Sequence, residues 1–308
     1  MGDALLDNRI KLRHVSCFLE VTRQGGVVPA SKALGLSQPA VSKSLAELEL
    51  VLGVKLFDRS TRKLVLTTDG EIFARHAAAA AAALRQGVHS LEAARNGQQL
   101  VRLGALPTVE AEVVPRAVAR FVAGPMACRV HVESGPSPHL LALLRDGRLD
   151  FIVGRMASPN AMQALGFEHL YSEELAFAVR PTHPLAAREA LRYRAIEPFI
   201  LLMPPREAII RPIVDAMFIA GGMGQSRLEI ETVSNSFARA YTLENDAIWV
   251  ISRSVVARDL ELGHLVRLPL DTSASHGPVG ITTRSGEAPS VVVNAMLETV
   301  RAVVRDRE

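Results

Sequence analysis

Residues 27–52 read Val-Val-Pro-Ala-Ser-Lys-Ala-Leu-Gly-Leu-Ser-Gln-Pro-Ala-Val-Ser-Lys-Ser-Leu-Ala-Glu-Leu-Glu-Leu-Val-Leu. The pattern predicts two short helices joined by a tight turn. Leu34 is expected to pack inward and Gly35 to take the turn. Ser37 is placed to cap the second helix, its hydroxyl accepting from an orphan backbone N–H. Pro39 falls in the first turn, where its missing donor costs little. Val41, Leu45, Leu48 and Leu52 recur on one helical face, which leaves Gln38, Ser42, Lys43 and Glu47 on the other. This is a helix-turn-helix, a motif that lays its second helix in the major groove of DNA. An ordinary helical hairpin has the same apolar spacing, so the flanks decide between the two.

Before the hairpin, Leu12, Val15, Phe18, Leu19 and Thr22 mark a further amphipathic helix and complete a three-helix core. After it, residues 56–67 (Leu-Phe-Asp-Arg-Ser-Thr-Arg-Lys-Leu-Val-Leu-Thr) have apolar ends suited to a two-stranded wing. Arg59, Arg62 and Lys63 lie near its tip.

The runs Leu-Ser-Gln-Pro-Ala-Val-Ser-Lys-Ser-Leu at 36–45 and Leu-Gly-Val-Lys-Leu-Phe-Asp-Arg at 52–59 resemble the winged helix of LysR-type transcriptional regulators. Two departures stand out. The first helix of the motif opens on Gly26, Val27, Val28 and Pro29, where the family usually has a capping Ser or Thr. The usual Ala-Ala pair is Ala30-Ser31. Neither change removes a DNA-facing residue. The reading expects Gln38, Pro39 and Ser42, beside the capping Ser37, to face base edges. Lys32, Lys43, Arg59, Arg62 and Lys63 are expected to hold phosphates.

The net charge is only +3, but it is unevenly divided. Residues 1–67 carry ten Lys/Arg against six Asp/Glu, whereas the remainder carries 25 against 26. The positive excess thus falls in the segment assigned to DNA. At 308 residues, two or three cores are expected. Asp3, Asp7, Arg9, Lys11 and Arg13 interrupt any leader-like apolar run. No uncharged stretch is long enough to span a bilayer, so a cytoplasmic protein is expected, with no membrane partner. Cys17 and Cys128 fall in different expected domains and read as small buried apolar residues.

Residues 68–71, Thr-Asp-Gly-Glu, have the form of a capping box. A run of seven alanines follows at 77–83, and a stop is expected near Asn96-Gly97. The segment 68–96 therefore reads as a linker helix, and the resemblance implies that it pairs two copies into a dimer. His76 and His89 have no metal-like partner at helical spacing and read as surface residues.

From residue 97 the rhythm changes to alternating strands and helices. Strands are expected at 100–106, 128–133, 149–154, 175–179, 199–203, 228–233, 247–251 and 279–283. Helices are expected at 113–121, 138–145, 207–220, 237–243 and 290–304. The fold class is thus α/β with an N-terminal all-α winged helix-turn-helix (1–67) and the linker helix (68–96). The family resemblance implies that 97–308 is a two-lobed effector domain like that of periplasmic binding proteins. Lobe I is expected at about 97–168 and 272–308, and lobe II at about 169–271. Ligands in such sheets sit beyond the carboxyl ends of strands, facing helix N-termini. Thr108, Ser137 and Arg155 occupy three such ends and suit a carboxylate. By resemblance they match effector-holding positions of related regulators, with Pro204, Pro205 and Asn235 as candidates from the facing lobe.

Within the family, residues 101–109 and 167–173 are most similar to regulators of protocatechuate catabolism, which implies a carboxymuconate-type polyanionic effector and an activator. A sugar-responsive branch, which regulates a galactose-binding protein, shares much of the pattern. A DNA-organising protein without an effector is a further alternative. No Gly-x-Ser-x-Gly elbow, Walker loop, Gly-x-Gly-x-x-Gly turn or His-Glu-x-x-His helix occurs. The nine histidines lack metal spacing. The expectation is a regulator, not an enzyme, with no cofactor or metal. Its expected partners are an interrupted DNA palindrome, a small carboxylate and RNA polymerase, with a homodimer assembling to a homotetramer.

Overall fold

The computed structural model describes residues 9–58, 64–96, 99–126, 128–224 and 228–307. Arg59, Arg62 and Lys63 lie outside the described residues, as do Gly97 and the side chain of His89. The chain divides into two compact units: Met1–Leu91 with Arg145–Gly147, and Glu92–Leu144 with Arg148–Glu308.

The first unit begins with α1 (Leu12–Gln24), α2 (Val27–Leu34) and α3 (Gln38–Leu52), followed by β1 (Phe57–Asp58) and β2 (Val65–Leu66). The two short strands pair antiparallel as the expected wing. Phe18 is the centre of this core, with ring centroids 5.4 Å from Phe57 and 5.2 Å from Phe73. Val41, Leu45 and Leu48 pack into the same core, and Leu34 and Leu52 lie partly buried against it. The buried stripe of α1 differs from the expected one. Leu12 is exposed, whereas His14, Cys17, Phe18 and Val21 are buried. The turn between α2 and α3 places Gly35 at φ 64°, a left-handed conformation that a side chain disfavours. At α2, which starts after Gly26, no side chain caps the helix start.

The long helix α4 (Thr68–Asn96) is capped one residue earlier than expected. Thr67, not Thr68, accepts from the Gly70 N–H at 3.0 Å, because its hydroxyl is also held by donating to the Lys55 carbonyl at 2.6 Å. Gly70 is required here: a Cβ would collide with the Leu56 carbonyl oxygen.

The second unit contains two five-stranded sheets. The first uses β3 (Gln99–Ala105), β4 (Cys128–Ser134), β5 (Phe151–Arg155), β6 (Leu165–Glu173) and β12 (Gly277–Arg284), in the order β4-β3-β5-β12-β6. The second uses β7 (Leu175–Val179), β8 (Ile200–Met203), β9 (Glu229–Glu231), β10 (Ala247–Ser252) and β11 (Val266–Arg267), in the order β11-β7-β10-β8-β9. Helices α5 (Val113–Val122) and α10 (Val291–Arg305) bury one face of the first sheet, and α6 (Ser137–Arg145) covers a separate apolar cluster on it. Helices α7 (Arg211–Ala220), α8 (Asn235–Glu244) and α9 (Arg253–Glu261) contribute to the core of the second.

Three details differ from the sequence reading. Strand β6 pairs with β12 along its length, so the first sheet runs past 168 to Glu173 and takes the chain back at Gly277. Helix α7 starts at Arg211 rather than 207, since residues 205–211 form successive turns and Pro212 suits only a first helical turn. Helix α9 was not foreseen at all. Cys17 is buried and Cys128 half-buried; both are free. Among the described residues no helix is long and apolar enough to cross a membrane.

Candidate functional site

Two surfaces carry the expected residues. On the first unit, Lys32, Ser37, Gln38, Pro39, Ser42 and Lys43 are all exposed. The Ser37 hydroxyl accepts from the Ala40 N–H at 3.4 Å, which fixes where α3 begins and so where Gln38 and Pro39 stand. Lys43 comes within 4.0 Å of Glu47 but keeps 79% of its side chain exposed. Glu47 in turn receives Arg13 at 3.2 Å and meets His14 at 3.1 Å. That pairing offsets the acidic charge of Glu47 beside Lys43.

The sequence reading missed Glu49. It is buried at the far end of α3, where it accepts from the Leu56 N–H at 3.0 Å and from Lys55 at 2.9 Å. Burial works against its charge, but these bonds outweigh it and hold the carboxyl below its ordinary range. Glu49 thereby ties α3 to the root of the wing.

In the second unit, a cavity of about 450 Å³ lies between the two sheets. Its lining includes Thr108, Ser137, Arg155, Pro204, Pro205 and Asn235. The topology explains the convergence. Thr108 follows β3, Ser137 opens α6 after β4, and Arg155 ends β5, all on the first sheet. Pro204 and Pro205 follow β8, and Asn235 opens α8 after β9, on the second. These are carboxyl ends of strands, where open α/β sheets form their crevices.

The polar groups are not equally available. The Thr108 hydroxyl is buried without a hydrogen-bond partner. Asn235 donates its amide to the Pro107 carbonyl at 2.9 Å, joining the two sheets. Arg155 is buried, and its Nη1 and Nη2 donate to the carbonyls of Ser275 (3.0 Å) and Glu173 (2.6 Å). It is neither a surface ion pair nor a free fork; its planar donors hold the crossover between sheets. Burial lowers its pKa, with the Glu173 charge opposing.

Several lining or neighbouring residues were not singled out from sequence. Trp249, Glu207 and His139 line the cavity. His139 meets the Glu133 carboxylate at 3.3 Å. Ser254 donates to the Thr108 carbonyl at 2.9 Å, a second bond from one sheet to the other. Its N–H donates to buried Glu173 at 2.6 Å, while the other Glu173 oxygen has no partner. Burial raises the Glu173 pKa, against the bonds from Ser254 and the charge of Arg155. Trp249 carried a usable signal, as the sole tryptophan of the chain; the others carried none. Among the described residues, no group of three or more His, Cys, Asp or Glu is arranged to hold a metal ion.

Comparison with known proteins agrees with this division. Residues 12–71 match the bacterial regulatory helix-turn-helix protein, lysR family, and residues 94–305 match the LysR substrate binding domain. The HTH-type transcriptional regulator PcaQ of Agrobacterium fabrum is 44% identical over 299 residues, 96% of each chain. The uncharacterized HTH-type transcriptional regulator YdcI of Escherichia coli is 34% identical and covers 97% of each. The structure of full-length CbnR complexed with its target DNA superposes with a TM-score of 0.55 at 18% identity, over 96% of this chain and all of that one. At that identity it supports the fold alone.

Proposed function

The chain belongs to the LysR family of bacterial transcriptional regulators, and on that premise we propose that a small carboxylate bound between the two sheets switches its action on genes of aromatic-acid catabolism. The observation that carries this reading is the convergence of six residues, from segments spread between 108 and 235, on one cavity. The likeness to the transcriptional regulator PcaQ along almost the whole chain supports the regulatory role.

In this reading Gln38, Pro39 and Ser42 meet base edges, and Lys32 and Lys43 meet phosphates, joined by Arg59, Arg62 and Lys63 of the wing. Helix α4 pairs two copies, so that two α3 helices read the halves of an interrupted palindrome. Two dimers assemble into a tetramer that presents the promoter to RNA polymerase. The ligand must bind two states of the cavity unequally, or it shifts nothing. The Asn235–Pro107 and Ser254–Thr108 bonds are the contacts whose making and breaking would differ between such states.

The test separates the two surfaces. Promoter DNA binding is measured for Gln38→Ala and for the double variant Thr108→Val with Ser137→Ala, with and without protocatechuate. Gln38→Ala should lose operator binding under both conditions. The double variant should bind the operator and ignore the acid. A double variant that responds like the unaltered protein contradicts the cavity assignment.

A further inference from the structure

We propose that the cavity takes a ligand with a single carboxylate on an apolar body, and that it rejects polycarboxylates; this rests on the cavity being the effector site. It departs from the polyanionic effector that the family resemblance implied, and three observations carry it.

The first is charge. The ionisable side chains lining the cavity are Arg155, Glu207 and His139. Arg155 already gives Nη1 and Nη2 to backbone carbonyls. Glu207 is itself acidic, and His139 faces the Glu133 carboxylate. Buried anions need paired cations or several donors. Among the described residues, no set of cations lining the cavity answers two or three carboxylates.

The second is the supply of donors. The two helix starts facing the cavity are depleted. In α6, Pro138 has no N–H, and the N–H groups of His139 and Leu140 both go to the Pro136 carbonyl. In α8, the N–H of Phe237 goes to the Ser234 hydroxyl and that of Ala238 to the Ser234 carbonyl. What remains is the Thr108 hydroxyl and the Arg155 Nε–H, both buried and unpartnered, with the Ser137 hydroxyl and the outermost N–H groups of the two helices. A carboxylate accepts at about four lone-pair positions, so this set serves one.

The third is the wall. Pro107, Pro136, Pro204, Pro205, Ile209 and Trp249 present apolar surface to the same space. Its volume lies within the ~300–1,000 Å³ usual for small-molecule pockets. An apolar ring or chain buries itself there while its carboxylate meets Thr108 and Ser137.

Trp249 is the only tryptophan of the chain, so its fluorescence reports on this cavity. The full-length protein is titrated at fixed ionic strength with benzoate, protocatechuate, carboxymuconate and galactose. Benzoate and protocatechuate should change the emission saturably, with Kd at least tenfold below that of carboxymuconate. Thr108→Val should weaken both monoacids severalfold; should that variant not fold, Ser137→Ala serves in its place. Tightest binding by carboxymuconate or galactose overturns the proposal, as does unchanged monoacid affinity in the variant. A compound that alters the DNA footprint without touching Trp249 emission overturns the cavity assignment itself, and the proposal with it. Monoacids that occupy the cavity without altering the footprint support the ligand class and remove only the regulatory reading.

Discussion

Asn235 donates its side-chain amide to the Pro107 carbonyl at 2.9 Å, across the cavity from one sheet to the other. The residue opens α8 and the carbonyl lies just beyond β3, so the bond spans 128 positions of sequence. It ties together two walls of the space that a ligand must enter. Asn235 therefore bridges the two sheets as well as lining the cavity.

Asn235→Ala should cost about 0.5–1.5 kcal/mol of stability, the usual net worth of one hydrogen bond. The same change should loosen the tie between the two sheets and weaken ligand binding severalfold. Thermal unfolding and Trp249 titration read the two effects separately. An affinity equal to that of the unaltered protein would mean that the bond does not hold the ligand-binding arrangement.

Glu173 sets a pH dependence. Its folded pKa lies above the ordinary carboxylate value, because burial disfavours its charge. The folded state then binds more protons than the unfolded one between those two values. Stability should fall as pH rises through that window and stay reduced above it. Glu173→Gln retains an acceptor for the Ser254 N–H and removes the buried charge. It should flatten this dependence and raise the Tm at neutral pH, as calorimetry across pH would register.

Gly70→Ala tests the junction between wing and linker helix. Its new methyl collides with the Leu56 backbone, which cannot rotate away as a side chain can. Overpacking of this kind costs about 1–3 kcal/mol or more. Far-ultraviolet dichroism during heating should show early loss of the first unit. A Tm unchanged from that of the parent protein would place the helix start elsewhere.

Lys43 and Gln38 should fail in different ways. Lys43→Ala should weaken binding to all sequences and reduce the slope of log K against log salt by about 1. Gln38→Ala should cost about 1–3 kcal/mol at the operator alone. Binding isotherms on operator and scrambled duplexes over a salt series distinguish them. Equal losses on both duplexes for Gln38→Ala would exclude a base contact.

Much of this site could be read before any coordinates, for identifiable reasons. Thr108, Ser137 and Arg155 stand at or just past strand ends, which are visible in sequence as apolar runs that stop near Pro, Gly or Ser, whereas Pro204, Pro205 and Asn235 came from the family resemblance. The helix-turn-helix was legible because Ser37, Pro39 and the apolar spacing of α3 are all local. What failed was long-range. Nothing near Arg155 indicates that the carbonyls of Ser275 and Glu173, 120 and 18 residues away, take two of its donors. Strand β6 has no clean alternation of buried and exposed positions, so its sequence does not mark it as a strand. The Thr67 cap was misplaced by one residue because its bond to the Lys55 carbonyl comes from the wing. Leu12 looked like core by spacing, yet the first turn of α1 turns His14 inward instead.

The most direct measurement is a footprint on the DNA upstream of the protein's own gene, at fixed salt, with and without a monocarboxylate that saturates Trp249. A footprint that shortens or changes its bend when the cavity fills is the expected result. A footprint identical in the empty and occupied protein would contradict a switch operating between the cavity and the reading helix.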